Sequence, residues 1–522
     1  MTRTARERLR DARDVRRERD GRPAPSEIAY GVYVGVLVAA IVGVPIVRAI
    51  VLGLMSAPAR ATLFDPASAT LLSLGGGALL GAAMLAGRTR GPVLADPFHA
   101  WVLTSLELRG RTTLRATFVR GGGTTALALT AIAGIVCIAL ALGGGVSAVS
   151  VWRFFGAAAL FAVLAVVAWL AGQSLRPNTV RLGATGIALL VAVSAAAPAV
   201  LPYTPWGWLG ALWPPAASAT GAAPGPLAPD VAGPVALIAL AAAAALTLAA
   251  APSLLDRISP ATALWQASRW QAALTLARTG DAAATLAAFG TPGTRGRGIH
   301  LALPRVLPLA YLARDGLVAL RRPARIAVGA VALTVAGGLL GIAAHSADAT
   351  APALAGALLA FLALGPFYDG LRHAADAAGR PPLLGVSARA DAAMHALLPL
   401  VAAIVLGGLG ALLLGAGSAT WWVVAAIACL VLVRAMDAAK GPLPIELMMP
   451  VPTPMGDASV MVIALWQSDA ILVALLLAGG LTIALPSWGA GAWIALLAAA
   501  ALIAALANAR FGRAGQPQGA DR

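Results

Sequence analysis

Long uncharged apolar runs, separated by short arginine-bearing gaps, constrain this chain more than any other feature of its sequence. Twelve such runs lie at roughly 28–50, 69–87, 123–144, 151–172, 181–202, 231–252, 325–345, 351–367, 394–415, 419–436, 469–486 and 489–508. About 20 mostly apolar residues carry a helix across the hydrocarbon of a bilayer. A soluble fold has no core large enough for this material. The 522 residues are 59% hydrophobic and only 11% charged, with a mean hydropathy of +0.83. The expected fold is all-α: a polytopic transmembrane helical bundle of about 12 spans.

The charges give that bundle a direction. The formal net charge of +16 comes almost wholly from arginine. With the N-terminus placed in the cytoplasm and the gaps assigned alternately, nearly every arginine falls inside. These are the N-terminal arm, 88–120, Arg176, Arg181, 257–325, 372–389, Arg434 and the tail. Only Arg48, Arg60 and Arg153 fall at or near the outer edge. Cytoplasmic loops of membrane proteins carry this excess, so both termini are expected in the cytoplasm of a cell-membrane protein. A basic chain can also mean nucleic-acid binding, but arginines confined to the gaps between spans argue for the bilayer and against a nucleic-acid partner. Trp206, Trp208, Trp213, Trp421 and Trp488 fall near expected outer interfaces, where aromatic belts form. The first 27 residues are too charged for a cleaved leader, so the first apolar run is expected to stay as an anchor. Cys137 and Cys429 each lie inside an apolar run and read as small buried residues rather than a disulfide or metal site.

The layout divides the chain into a basic arm (1–27), a six-span bundle (28–252), a polar linker (253–324), a second six-span bundle (325–508) and a tail (509–522). The bundles look duplicated. "GPVLADPFHAWVLTSLELRGRTTLRATFVRGGGTTAL" follows the second run and "GPFYDGLRHAADAAGRPPLLGVSARADAAMHALLPL" follows the eighth. Each opens with Gly-Pro and soon carries a carboxylate and a histidine. Six is an even number, so the halves would share one orientation as parallel repeats. The competing reading is coincidence, because Gly-Pro commonly ends helices.

Within the linker, Ser259-Pro260 reads as the N-cap and first position of a helix stopped at Gly280. Asp281 would cap a shorter helix ending at Gly290, and "TPGTRGRG" reads as a flexible basic connection. Over 309–322, Leu309, Leu312, Ala313, Gly316, Leu317 and Leu320 share one helical face, while Arg314, Asp315, Arg321 and Arg322 avoid it. A basic amphipathic helix leading into a span is expected along the cytoplasmic membrane surface. The arm "RERLRDARDVRRERDG" occupies the matching place before the first run; it reads either as a surface helix or as a solvated segment.

Several kinds of chemistry are missing. The sole lysine, Lys440, has no phosphate-binding loop around it. No aspartate or glutamate is expected well inside a span, which argues against a carrier driven by an ion gradient. No filter-like motif suggests a channel. The outer loops hold Asp65, Asp230 and Asp348, the last beside His345 in a pairing that reads as a solvated turn. Neither a catalytic constellation nor a cofactor site is expected, so the chain is not read as an enzyme.

One polar interruption stands out: "KGPLPIELMMPVPTPMGDASVM", Lys440 to Met461. Pro442, Pro444, Pro450, Pro452 and Pro454 exclude a continuous helix and stiffen the segment. Leu447, Met448, Met449 and Met455 offer an adaptable apolar surface, and Glu446 and Asp457 offer charge. The segment either meets a partner or packs on the chain's own helices.

This layout resembles the membrane subunits of ABC exporters of the ABC-2 type, particularly large actinobacterial permeases. The amphipathic helix 309–322 stands where that family has its interface helix, and loops 91–122 and 365–393 stand where it has coupling helices. The loop 203–230 is similar to the family's partly re-entrant outer element, and "GPLPIELMMPVPTPMGDASVMVIALWQSD" looks like a sequence signature of the actinobacterial members. The resemblance implies a permease subunit without its own nucleotide-binding domain, powered by a separate cytoplasmic ATPase that would touch Asp96, Arg109, Asp369, Arg372, Glu446, Pro450 and Asp457. The partners implied are that ATPase, the lipid bilayer and a transported substrate of unknown identity. The halves are unequal, since the second has only "PSWG" where the first has its long outer loop. A non-transporting membrane scaffold or regulator, and a membrane enzyme acting on lipid-linked substrates, are the alternative readings.

Overall fold

The computed structural model describes residues 25–55, 57–106, 108–215, 229–278, 304–345, 350–378, 385–413, 416–441 and 459–514, together with positions 7, 11, 14, 447, 449, 452–453 and 456–457. Among the described residues nearly all regular structure is helical. The exception is a pair of two-residue antiparallel strands, with Pro452 opposite Asp457 and Thr453 opposite Gly456. Among the described residues, ten helices are long and apolar enough to cross a membrane: Pro66–Ala86, Arg115–Gly143, Ala148–Ser174, Pro177–Ala196, Gly233–Asp256, Arg325–Ala343, Ala388–Leu413, Gly417–Ala438, Met461–Trp488 and Ala490–Gly512. An eleventh crossing would be the bent pair Pro352–Phe367 and Asp369–Ala377, which turns by 70°. The expected first span, 28–50, is helical from Pro25 to Met55 but is not among the ten.

Contacts divide the chain into two units, Met1–Thr275 and Leu276–Arg522. In unit 1, α1 (Pro25–Val38) continues through a π turn into Val44–Met55. Then come α2 (Pro66–Ala86), α3 (Pro97–Ser105), α4 (Arg115–Gly143), α5 (Ala148–Ser174), α6 (Pro177–Ala196), α7 (Pro205–Ala211), α8 (Pro229–Asp256) and α9 (Pro260–Arg278). The starts follow from local chemistry. Asp65 accepts the Ala67 amide at 2.8 Å ahead of Pro66, and Ser147 accepts the Ser150 amide at 3.1 Å. Ser259 caps α9 by accepting the Thr262 amide at 3.1 Å, as its sequence implies. Helix α5 lies centrally, packing on α2, α4 and α8. Its C-terminal turn approaches α2 closely: a Cβ at Gly172 would strike the Met84 carbonyl, and one at Gly87 would strike that of Trp169. Between spans lipid supplies as much apolar contact as protein does, so such close backbone packing is what favours helix association.

The outer tryptophans do not all behave as a belt. Trp206 and Trp213 are buried in the core of unit 1 with Phe154, Phe161 and Leu240, whereas Trp421 and Trp488 are exposed. The cause is α7, which folds back against α2, α5 and α8 and carries its tryptophans inward. Thr204 caps α7 through the Gly207 amide at 3.1 Å, and Trp213 Nε1 donates to the Leu63 carbonyl at 3.0 Å.

Unit 2 contains α10 (Leu307–Leu320), α11 (Pro323–Ala343), α12 (Thr350–Ala363), α13 (Asp369–Ala377), α14 (Ala388–His395), α15 (Thr420–Ala438), α16 (Ser459–Ala474) and α17 (Ala490–Ala514). Helical structure continues beyond α14 to Leu413 through a π segment, Ala403–Gly407, and beyond α16 through another, Leu475–Gly480. A Cβ at Gly337 would meet the Gly407 carbonyl, and one at Gly410 the Thr334 carbonyl, so α11 and that continuation touch backbone to backbone. The core gathers Leu333, Leu340, Leu364, Ile427, Leu430 and Leu496. Trp422 stacks edge-on with Trp493 at 5.0 Å and donates to Thr482 Oγ1 at 3.0 Å. The bend at 365–368 has a chemical origin. Pro366 cannot donate a helical hydrogen bond, and Arg434 of α15 takes the Phe361 carbonyl through Nε at 3.0 Å and Nη2 at 2.5 Å.

Candidate functional site

The polar turn between α2 and α4 is clamped from two sides. Gln173, at the end of α5, accepts the Val93 amide at 3.2 Å and donates to the Val93 carbonyl at 2.9 Å. Gln266 of α9 accepts the Gly91 amide at 3.1 Å and a Gln173 N–H at 2.8 Å, and donates to the carbonyls of Gly87 at 3.0 Å and Arg88 at 3.2 Å. Both amides are buried, and every one of these bonds replaces water that burial has removed. A Cβ at Gly91 would collide with Gln173, so the glycine of this Gly-Pro is required by close approach. The Arg90 guanidinium lies 3.8 Å from the Trp270 ring centroid, and burial lowers its pKa.

Beyond the clamp, Asp96 is the N-cap of α3 and accepts the His99 amide at 2.9 Å. Arg109 is exposed; its carbonyl starts the single turn Gly110–Thr113 and accepts the Thr112 hydroxyl at 2.6 Å. Asp256, ending α8, accepts the Arg111 amide at 2.8 Å. Arg109 and Asp256 flank a cavity of about 360 Å³.

The second loop is clamped by ions instead of amides. Asp369, in the first turn of α13, accepts from Arg325 at 2.7 Å and Arg322 at 3.1 Å, and Arg325 also donates to the Gly365 carbonyl at 3.1 Å. Arg372 lies one turn further along α13 and is half-buried. The amphipathic helix α10 docks beside it. His395 of α14 and Asp315 of α10 pair at 2.6 Å, both buried, and Tyr311 donates to Asp391 at 2.7 Å. Burial, then the bond to Asp391, pushes the Tyr311 phenol up to about 12. Asp315 therefore does not lie on a solvated face as the helical pattern implies, because α14 supplies it with a buried partner. Leu309 and Leu320 remain exposed on α10 at 50% and 66%, as an apolar membrane-facing side requires.

A third cluster was hidden by an expected helix boundary. The apolar run suggests a span from 469, but the crossing helix begins at Met461, which puts Asp469 within it. Asp469 pairs with Lys440 Nζ at 2.5 Å and with Arg510 at 3.8 Å, while Lys440 also bonds the Trp466 carbonyl. Arg434 and Asp437, 3.7 Å apart, likewise lie inside the crossing helix Gly417–Ala438. No carboxylate is expected from sequence well inside a span; Asp437 sits at the last turn of its crossing helix, and Asp469 lies in the first third of its own, where the helix outruns its apolar stretch and Lys440 and Arg510 meet the charge. Sequence offered one signal, a lone lysine ahead of a lone aspartate in an apolar run.

Of the expected contact residues, Asp96 and Arg109 belong to the unit 1 loop and Asp369 and Arg372 to the unit 2 loop. Glu446 and Pro450 lie outside the described residues, and of Asp457 only the backbone is described. Also outside are most of the N-terminal arm, the helix expected at 281–290, the "TPGTRGRG" segment and Asp348. Cys137 is buried and Cys429 half-buried, both as thiols. No group of three or more metal-ligating side chains occurs among the described residues. The arrangement suits holding short polar helices rigidly at the ends of spans. Ten crossing helices with exposed apolar flanks define a multi-pass integral membrane protein. No family model, curated protein or solved structure matches the chain.

Proposed function

We propose that the chain is the membrane-spanning permease subunit of an ATP-driven exporter, does no covalent chemistry itself, and is moved by a separate cytoplasmic ATPase. One observation carries this reading: each unit holds, after a Gly-Pro at the end of an apolar helix, a short helix begun by an aspartate and braced from behind by polar contacts, buried amides in unit 1 and half-buried ion pairs in unit 2. Asp96 begins α3, behind the Gln173–Gln266 clamp, and Asp369 begins α13, behind Arg322, Arg325 and α10. A subunit that receives mechanical work needs such braced elements at its surface, because a floppy loop would absorb the displacement. The reading places the chain in the cell membrane with both termini cytoplasmic, as two parallel six-span repeats making 12 spans. Asp96, Arg109, Asp369, Arg372, Glu446, Pro450 and Asp457 are the proposed ATPase contacts.

The test is co-purification of the tagged full chain with an ATPase encoded beside it, followed by the same experiment on Glu446→Arg. Nucleotide hydrolysis should copurify with the wild type and fall at least severalfold in the variant. A wild-type preparation that recovers no nucleotidase, or that moves a solute in liposomes on an ion gradient alone, would overturn the reading.

A further inference from the structure

We propose that the end of unit 1 where α2 finishes and α6 begins binds the phosphate of an anionic phospholipid, held by Arg88 and Arg181. The two helices pack together at this end. A Cβ on Gly183 of α6 would meet Met84 of α2, and one on Gly81 of α2 would face Ala184 and Ile187 of α6. Arg88 follows the last residues of α2, and Arg181 lies in the first turns of α6, so both arginines are brought to one edge. Burial, and after it the charge of Arg181, lowers the pKa of Arg88. Neither guanidinium has a hydrogen-bonding or ionic partner among the described residues. Two unneutralised cations held at one edge are relieved by an anion placed between them.

The surroundings select a lipid. Helix α6 opens with Arg176 at its cap position, no side-chain cap and no acid in its first turn, so its orphan amides add positive potential. The backbone of Arg88 is fixed, since its carbonyl accepts from Gln266 at 3.2 Å. Next to the arginines, Leu85 and Leu182 are 48% and 74% exposed, a surface for acyl chains that a free phosphate would leave bare. Guanidinium matches a phosphodiester in bidentate geometry, and basic edges between span ends recognise anionic headgroups. The inference rests on membrane insertion alone. It holds whichever way the chain is oriented and whether or not an ATPase docks.

The experiment compares the full-length protein in phosphatidylglycerol and in phosphatidylcholine nanodiscs, reading lipid retention by native mass spectrometry and thermal melting. The wild type should retain phosphatidylglycerol and melt higher in it. Arg88→Gln/Arg181→Gln should weaken retention about tenfold or more, as losing charge-assisted hydrogen bonds would. Arg115→Gln/Arg120→Gln removes the same charge from exposed positions elsewhere in unit 1 and should retain lipid as the wild type does. Equal behaviour of the wild type in both lipids, an equal loss in the two double variants, or the same stabilisation by inorganic phosphate would each overturn the proposal. Should the double variant not fold, the exposed single change Arg181→Gln decides, with a severalfold loss expected and unchanged retention refuting the site.

Discussion

Gly370 has no side chain, yet it sets how α10, α13 and α14 meet. A Cβ there would run into the Asp315 carboxylate and the His395 ring, which are themselves paired at 2.6 Å. Gly370→Ala should therefore lower stability by about 1–3 kcal/mol, the usual cost of overpacking. Gly316, on α10, has open space around its Cβ position, so Gly316→Ala should instead stabilise by about 0.5–1 kcal/mol through helix propensity. Melting of both variants in one detergent checks the pair; an equal response would show that Gly370 is not at a close contact. Tyr311 makes a second test at this scale. Its phenol has an ordinary value of 10.0 and is pushed up to about 12 in the fold. The folded state then holds the proton more tightly than the unfolded chain does. The stabilisation is complete below about pH 10 and is lost as pH rises towards 12. Melting temperature should fall across that window more steeply in the wild type than in Tyr311→Phe, once the other titrations common to both are subtracted.

Elements come next. The turn at 87–93 keeps its shape because α5 and α9 each send one amide side chain into it. Gln266→Leu would strip partners from the Gly91 amide, the Gly87 and Arg88 carbonyls and Gln173 together. Unsatisfied buried polar groups cost about 1–3 kcal/mol each, so amide hydrogen exchange over 87–93 should speed up by tenfold or more while the interior of α5 keeps its protection. Exchange that stays slow would show the clamp to be incidental. Much of the element map is legible in sequence, because apolar length alone marks spans, and Ser259-Pro260 announces α9. What sequence conceals is where a helix outlasts its apolar run, as at Asp469, and where polar groups find buried partners. Nothing in the chain marks Gln173 and Gln266 as a pair, since they meet only after α5 and α9 have packed. Asp315 is misplaced by helical periodicity for the same reason: the rule gives polar residues to water, and His395 competes with water. Trp206 and Trp213 look like belt residues until α7 turns inward.

At the scale of the molecule, the open quantity is orientation, and charge is what decides it. Arginines crowd the ends where α3, α9, α10 and α13 lie, while the segment 203–230 carries none. Short arginine-rich loops favour the cytoplasmic side, so the expected insertion puts those ends inside the cell. The only native thiols, Cys137 and Cys429, sit inside crossing helices, where a charged membrane-impermeant maleimide cannot reach them. Single cysteines therefore report sidedness against a quiet background. Ala222→Cys, in the segment after α7, should be labelled in intact cells. Thr294→Cys, between α9 and α10, should be labelled only after permeabilisation. The reverse pattern would invert the molecule, put both braced loops on the outer face, and remove the physical basis for an ATPase docking on them. Labelling of both sites in intact cells would mean that the number of crossings between 222 and 294 is even rather than odd, and the repeat of two six-span halves would fall with it.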